Sequence, residues 1–153
     1  MNTFTVISHL AGNPEAVAAE ILTMSSVNYE LGPWITMTAP PRWRAKPLAD
    51  WPSGGSLFKS TLLFCGVVPI DRHNFGLQAA GKTGFREQSS SLLMRSWHHQ
   101  RQLTGGQGGT TVRDDVRFET RIGLMGPLLA PVYRLVFHHR HQRLAKRYGR
   151  AGK

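Results

Sequence analysis

Period-two alternation of apolar and polar positions between Ser56 and Arg121 predicts five strands: Leu57 to Val68, Arg72 to Ala80, Phe85 to Ser91, Leu92 to Leu103 and Thr110 to Arg121. Short turn segments separate them, so the expected arrangement is an antiparallel meander. Upstream, Thr3 to Leu10 reads as a first strand and Trp34 to Thr38 as a second. Between these two, Asn13-Pro14-Glu15 supplies a cap residue followed by proline at the first helical position, predicting a helix over Pro14 to Met24. The segment Ala39 to Gly55 is rich in proline, glycine, cations and tryptophan and is expected to be a surface excursion. After Arg121 the period changes: Leu128, Val132, Leu135 and Val136 recur at helical spacing, with Pro127 to open a helix and Gly149 to close it. That apolar stripe is expected to pack on the sheet. The class is α+β, with a single domain over 1–149 and a basic tail over 150–153.

The two last strands carry the candidate chemistry. Alternation puts Trp97, His99, Arg101 and Leu103 on one face, and Val112, Asp114, Val116 and Phe118 on the facing strand. If Leu103 faces Thr110 across the Gly105–Gly109 turn, His99 faces Asp114 and Trp97 faces Val116. A His99–Asp114 contact is therefore expected. Burying charge without partners is costly, so a face mixing His, Arg and Asp with apolar groups reads either as a cavity lining or as a satisfied polar pair that sets strand register.

Length and charge narrow the picture. A chain of 153 residues can bury one core with room for a small cavity. Its formal charge of +10 raises the question of an anionic partner, because no acid follows Glu119 while eight Arg and Lys residues do. A solvated basic helix face is the plainer explanation, and an anionic membrane or nucleic-acid surface is the functional one. Cys65 lies in an apolar run and is expected to pack as a small hydrophobe. Met1 to Val6 lacks the pattern of a secretory signal, and the longest apolar stretches are too short or interrupted to span a membrane, which predicts a cytoplasmic location.

Two further motif matches have plainer structural explanations. Gly76 to Thr83 satisfies the G-x-x-x-x-G-K-T pattern of a phosphate-binding loop, but Gly84 stands where a helix should begin and a strand follows, so Gly81 to Gly84 reads as a hairpin turn. His138, His139 and His141 lack the further ligands a metal needs, and no cofactor or metal is expected. No nucleophile elbow is present, leaving general acid/base chemistry as the one reaction class the residues suggest.

The stretches Gly55–Phe58, Trp97–His99, Gly109–Asp114, Leu124–Leu129 and Arg140–Leu144 resemble bacterial members of the START-like (SRPBCC) superfamily, of polyketide cyclase/dehydrase and lipid-transport type. Its Trp-x-His and Gly-Thr-x-Val-x-Asp patterns fall on Trp97, His99, Gly109, Thr110, Val112 and Asp114. The resemblance implies a helix-grip fold, a curved antiparallel sheet wrapped around the terminal helix with an apolar cavity between. The function expected first is binding of a small hydrophobic or amphipathic ligand of lipid or polyketide kind. Trp97, His99 and Asp114 would orient its polar end, with Phe58, Val116, Phe118, Leu128 and Val132 as wall. The alternative is a cyclase or dehydratase in which His99 is the acid/base, Asp114 fixes its tautomer and Arg101 stabilises an oxyanion. A third reading has the basic segment Arg140 to Lys153 meeting an anionic membrane surface, with nucleic acid disfavoured; a monomer and a homodimer are both open.

Overall fold

The computed structural model describes residues 1–106 and 108–152; Gln107, in the expected Gly105–Gly109 turn, and Lys153, in the expected basic tail, lie outside the described residues. Seven strands form one antiparallel sheet in the order β1-β7-β6-β5-β4-β3-β2. They are β1 (Asn2–Ala11), β2 (Ile35–Met37), β3 (Gly55–Phe64), β4 (Val68–Gly81), β5 (Gly84–Ser91), β6 (Met94–Gly106) and β7 (Gly109–Thr120). Helices α1 (Pro14–Ile21), α2 (Met24–Leu31) and α3 (Pro41–Arg44) precede the meander, and α4 (Met125–Tyr148) follows it. The α+β helix-grip architecture is the one expected.

Local signals account for most of the boundaries. The Asn13 side chain accepts from the N–H groups of Glu15 and Ala16, and Pro14 opens α1. The expected Pro14–Met24 helix is in fact two helices, because Thr23 turns extended and its hydroxyl caps α2 by accepting from Ser26 N–H. The strand expected to run from Leu57 to Val68 stops at Phe64: Cys65 (φ 50°) and Gly66 (φ 75°) adopt left-handed backbone and reverse the chain. Cys65 is therefore exposed in a turn and not packed in an apolar strand. Lys82 and Thr83 form the β4–β5 hairpin turn, which leaves the phosphate-loop pattern without its helix.

The Ala39–Gly55 segment departs from the surface excursion expected of it. Trp43, Leu48 and Trp51 are buried, and Trp51 packs edge-on against Phe58 and Phe75 at 5.7 and 5.6 Å. Two indoles and a leucine are too much apolar area to leave in water, and they close one end of the curved sheet.

Helix α4 also buries a different face from the one its leucines suggested. Gly126, Phe137, Arg140, His141 and Leu144 face the sheet, while Leu128, Val132 and Leu135 face out. Gly126 is where α4 closes on the sheet, since a Cβ there would stand 2.5 Å from Asn2 Nδ2. Gly149 (φ 79°) ends the helix with its N–H on the Ala145 carbonyl.

Candidate functional site

Successive inward positions on each element divide the interior into three layers. Along β6 they run Met94, Trp97, His99, Arg101 and Leu103, the change of parity after Met94 coming from a bulge. Along β7 they run Phe118, Val116, Asp114 and Val112, and along α4 Phe137, Arg140, His141 and Leu144. One apolar cluster gathers Phe4, Val6, Met94, Trp97, Val116, Phe118 and Phe137. The other, near α1 and the buried tryptophans, includes Leu10, Ile21, Leu77, Phe85, Leu103, Val112 and Leu144. Between them lies a belt of buried charge.

Asp114 is the belt's centre and is fully buried. Its Oδ1 accepts from His99 Nε2 (2.8 Å) and Arg101 Nε (2.8 Å), and its Oδ2 from Arg101 (2.6 Å) and His141 Nε2 (2.9 Å). The other edge of the Arg101 guanidinium meets both oxygens of Glu30, at 2.8 and 2.9 Å, and Arg140 closes on Glu30 from α4 at 2.9 Å. His141 Nδ1 reaches Ser8 Oγ at 2.7 Å, and Ser26 donates to Glu30 from one turn earlier in α2. A branch continues through His99 Nδ1, 3.5 Å from Glu87, to Glu87 itself, which accepts from His73 Nε2 and Ser89 Oγ, both at 2.7 Å. Two guanidinium groups thus face two of the three buried carboxylates, Asp114 and Glu30, while Glu87 is held by His73 and Ser89, with His99 set between Glu87 and Asp114.

The carboxylates are held ionised against the cost of burial. Burial pushes Asp114 up, but the charge of Arg101, then that of His99, outweighs it and holds the carboxyl well below its ordinary value. Burial likewise opposes the charge on Glu30, and Arg101 and Arg140 overcome it. Glu87 is lowered as well, against burial, by hydrogen bonds from His73 and His99. Folded values below the unfolded ones mean stability that is complete above about pH 4–5 and is lost as pH falls from there toward the folded values. Thermal melts should hold a plateau above that range and drop steadily below it. A Glu30→Gln variant should show a shallower acid slope, and one as steep as wild type would contradict the assignment.

A pocket of about 90 Å³ opens beside the belt, between α4, the end of α2 and the β2–β4 side of the sheet. Trp97, Met94, Phe137 and Tyr133 give it an apolar wall, and His73, Glu87, Asp71 and Arg140 a polar end. Burial, then the charge of Asp71, pushes the Tyr133 phenol up to about 12, so the hydroxyl keeps its proton.

The expected site residues separate on this geometry. Trp97 lines the pocket, and Phe118 and Val116 are buried in the same apolar cluster. His99 and Asp114 do meet, through a register two residues away from the one expected: Leu103 pairs with Val112, Arg101 with Asp114, and His99 with Val116. A two-residue slip keeps every side chain on its face, so the contact survives on the diagonal. Asp114 nevertheless lies behind Arg101, His99 and His141, away from the pocket wall. Arg101 is committed to two carboxylates and offers no oxyanion site. Phe58 stacks on Phe75 at 5.4 Å in the other core. Leu128 and Val132 do not form wall; they are 71 and 51 % exposed, because the helix turns its aromatic and charged stripe inward.

His73 and Glu87 are the residues that the sequence reading missed. Their signal was the same as that of the last two strands: Asp71, His73, Phe75 and Leu77 alternate along β4, and Phe85, Glu87, Ser89 and Ser91 along β5. Glu30 and Arg140 had no comparable signal, since α2 was not expected and Arg140 sits in a basic run.

The family model for the domain of unknown function DUF8410 matches residues 8–148. The chain belongs to that family. A search of curated proteins finds no match. Among solved structures, CV1439 from Chromobacterium violaceum superposes with a TM-score of 0.70 at 15% identity, covering 97% of this chain and 98% of its own. A START superfamily protein from Mycobacterium smegmatis gives 0.65 at 12% identity, with 95% and 96% covered. DynU16, from the dynemicin biosynthetic locus, gives 0.58 at 13% identity over 99% of this chain, which spans about half of DynU16's length (49%). This DUF8410 member thus has the START-like fold expected from its sequence. Among the described residues no helix is long and apolar enough to cross a membrane.

Proposed function

We propose that this protein binds a small amphipathic molecule in the pocket between α4 and the sheet, its apolar part against Trp97, Met94 and Tyr133 and its polar group at the His73–Glu87 pair. The observation that carries this reading is the pocket's make-up, an aromatic wall ending in a buried hydrogen-bonded acid–imidazole pair, on a fold shared with a START superfamily protein. A few convergent polar groups in an apolar recess are what orient a small ligand.

Size restricts the class. Pockets for drug-sized ligands measure about 300–1,000 Å³, against about 90 Å³ here. The rings of Phe137 and Tyr133 and the charged belt fill the space that a lipid or polyketide chain would need, so the ligand is a compact one with a single ring or a short chain. A cyclase or dehydratase built on His99, Asp114 and Arg101 would need a substrate carbonyl at His99 and an unengaged guanidinium; the belt's hydrogen bonds use both groups.

The test compares p-cresol with toluene by titration calorimetry. Wild type should bind p-cresol saturably. Val136→Trp, which fills the pocket from α4, should weaken both ligands by about tenfold or more, and His73→Phe should weaken p-cresol while sparing toluene. A wild-type protein that takes up neither probe, or a Val136→Trp variant that binds as wild type does, would overturn the reading.

A further inference from the structure

Among the described residues, every exposed large apolar side chain except Ile7 lies at one end of the sheet or on the outer side of the first half of α4. Hydrogen bonds and strand register bring these segments to the same end. Leu92 N–H in the β5–β6 turn donates to Asp71 on β4, while Arg121, entering the connection to α4, donates from its backbone to Leu93 and from its side chain to Ser91. The β3–β4 turn lies on the same end, where Phe64 pairs with both Val68 and Ile35 and so brings Trp34 alongside. The most exposed of these side chains are Leu124, at 85 %, and Val67 and Met1, each at 75 %, with Leu92 in the β5–β6 turn and Leu128 and Leu135 continuing along α4.

The charges interleaved with these tips are of one sign. Arg72, Arg95, Arg121 and Arg134 are exposed there. Of the acids at the same end, Asp71 is buried and accepts from the backbone N–H groups of Arg72 and Leu92, and Glu119 is bonded to Arg95. No unpaired exposed carboxylate stands among the described residues of this surface. A second copy of the chain would set guanidinium groups against guanidinium groups across a symmetric contact. An anionic bilayer would neutralise them with phosphates while taking apolar tips below the headgroups.

We infer that this end of the molecule docks on anionic lipid bilayers, Leu124, Val67 and Leu92 entering the interface while Arg72, Arg121 and Arg134 meet headgroup phosphates. This is a different surface from the basic C-terminal segment that charge alone suggested. There Arg140 is consumed in the buried belt, and Arg143 and Arg147 lie over the Tyr29 ring at 4.2 and 5.2 Å. The inference does not depend on what the pocket holds.

Flotation with phosphatidylcholine vesicles, alone and doped with phosphatidylglycerol, tests it. Wild type should float with the anionic vesicles and be released by salt. The double variant Val67→Glu/Leu124→Glu should partition about tenfold less, and Ile7→Glu, on the outer face of β1, should behave as wild type. Circular dichroism should show both variants folded as wild type is, so that lost flotation reads the surface and not the fold. Three results would overturn the inference: wild type left behind by anionic vesicles, undiminished flotation of the double variant, or a sedimenting dimer that the double variant abolishes, which would assign this end to a second copy. None of them bears on p-cresol binding, so the two readings fail separately.

Discussion

Arg101→Met should lower stability by about 3–5 kcal/mol, the usual cost of removing one partner from a buried ion pair and leaving the others unpaired. The guanidinium makes four hydrogen bonds to two carboxylates that have no access to water. Without it Glu30 keeps only Arg140 and Ser26, and Asp114 only the two imidazoles. At about 2–4 °C per kcal/mol for a chain of this size, the melting midpoint should fall by roughly 10 °C. Arg113→Ala supplies the contrast. That arginine pairs with Asp115 on the exposed face, where water already solvates both groups, and its loss should leave the melt where it was. Replacing Arg101, Glu30, Asp114 and Arg140 together by apolar residues of similar volume should recover part of the loss, since the penalty arises from stranded charge and Arg140 would otherwise lose its Glu30 partner. A single Arg101→Met variant that melts with wild type would show that the belt does not hold α2 and α4 to the sheet.

Phe137→Ala should cost about as much, roughly 3–5 kcal/mol, for a different reason. The ring is buried at the meeting point of three contacts: edge-on to Phe4 at 5.4 Å, edge-on to His99 at 5.0 Å, and under the Arg140 guanidinium at 4.7 Å. It also forms part of the pocket wall, so its removal merges the vacated space with the existing 90 Å³. Stability and binding should therefore move in opposite directions. The variant should melt lower in buffer yet bind toluene more tightly than wild type does, and saturating toluene should restore about 2.7 kcal/mol at a hundredfold excess over its dissociation constant. Scanning calorimetry with and without toluene reads both effects. A destabilised variant indifferent to toluene would mean that the cavity collapses, and would detach Phe137 from the pocket.

The strand-rich middle of the chain was readable because period two is clear along β5, β7 and most of β6, and the caps at Asn13 and Gly149 act through their immediate neighbours. Where the reading departed from the structure, the deciding contact was distant in sequence. Leu128, Val132 and Leu135 have the spacing of a buried stripe, and nothing local says that Phe137, Arg140, His141 and Leu144 outcompete them; Asp114 on the sheet takes His141 and Glu30 on α2 takes Arg140. Trp43, Leu48 and Trp51 occupy a segment with loop composition, but they bury because the curved sheet leaves an end to be closed.

The chain's own order of residues determined the α+β class, the strand sequence, the facing of His99, Arg101 and Asp114 to a common interior, and the resemblance to START-like proteins, since all of these follow from local periodicity and short motifs. Tertiary structure alone decided how those groups are used. Glu30 and Arg140 arrive from elements distant in sequence and convert a supposed ligand-facing triad into a buried charge belt, and the polar end of the pocket is made by His73, Glu87, Asp71 and Arg140 instead. The physical reason is that a buried charge takes whichever opposite charge the fold brings within hydrogen-bonding distance, and that distance is set by packing across the whole sheet and helix.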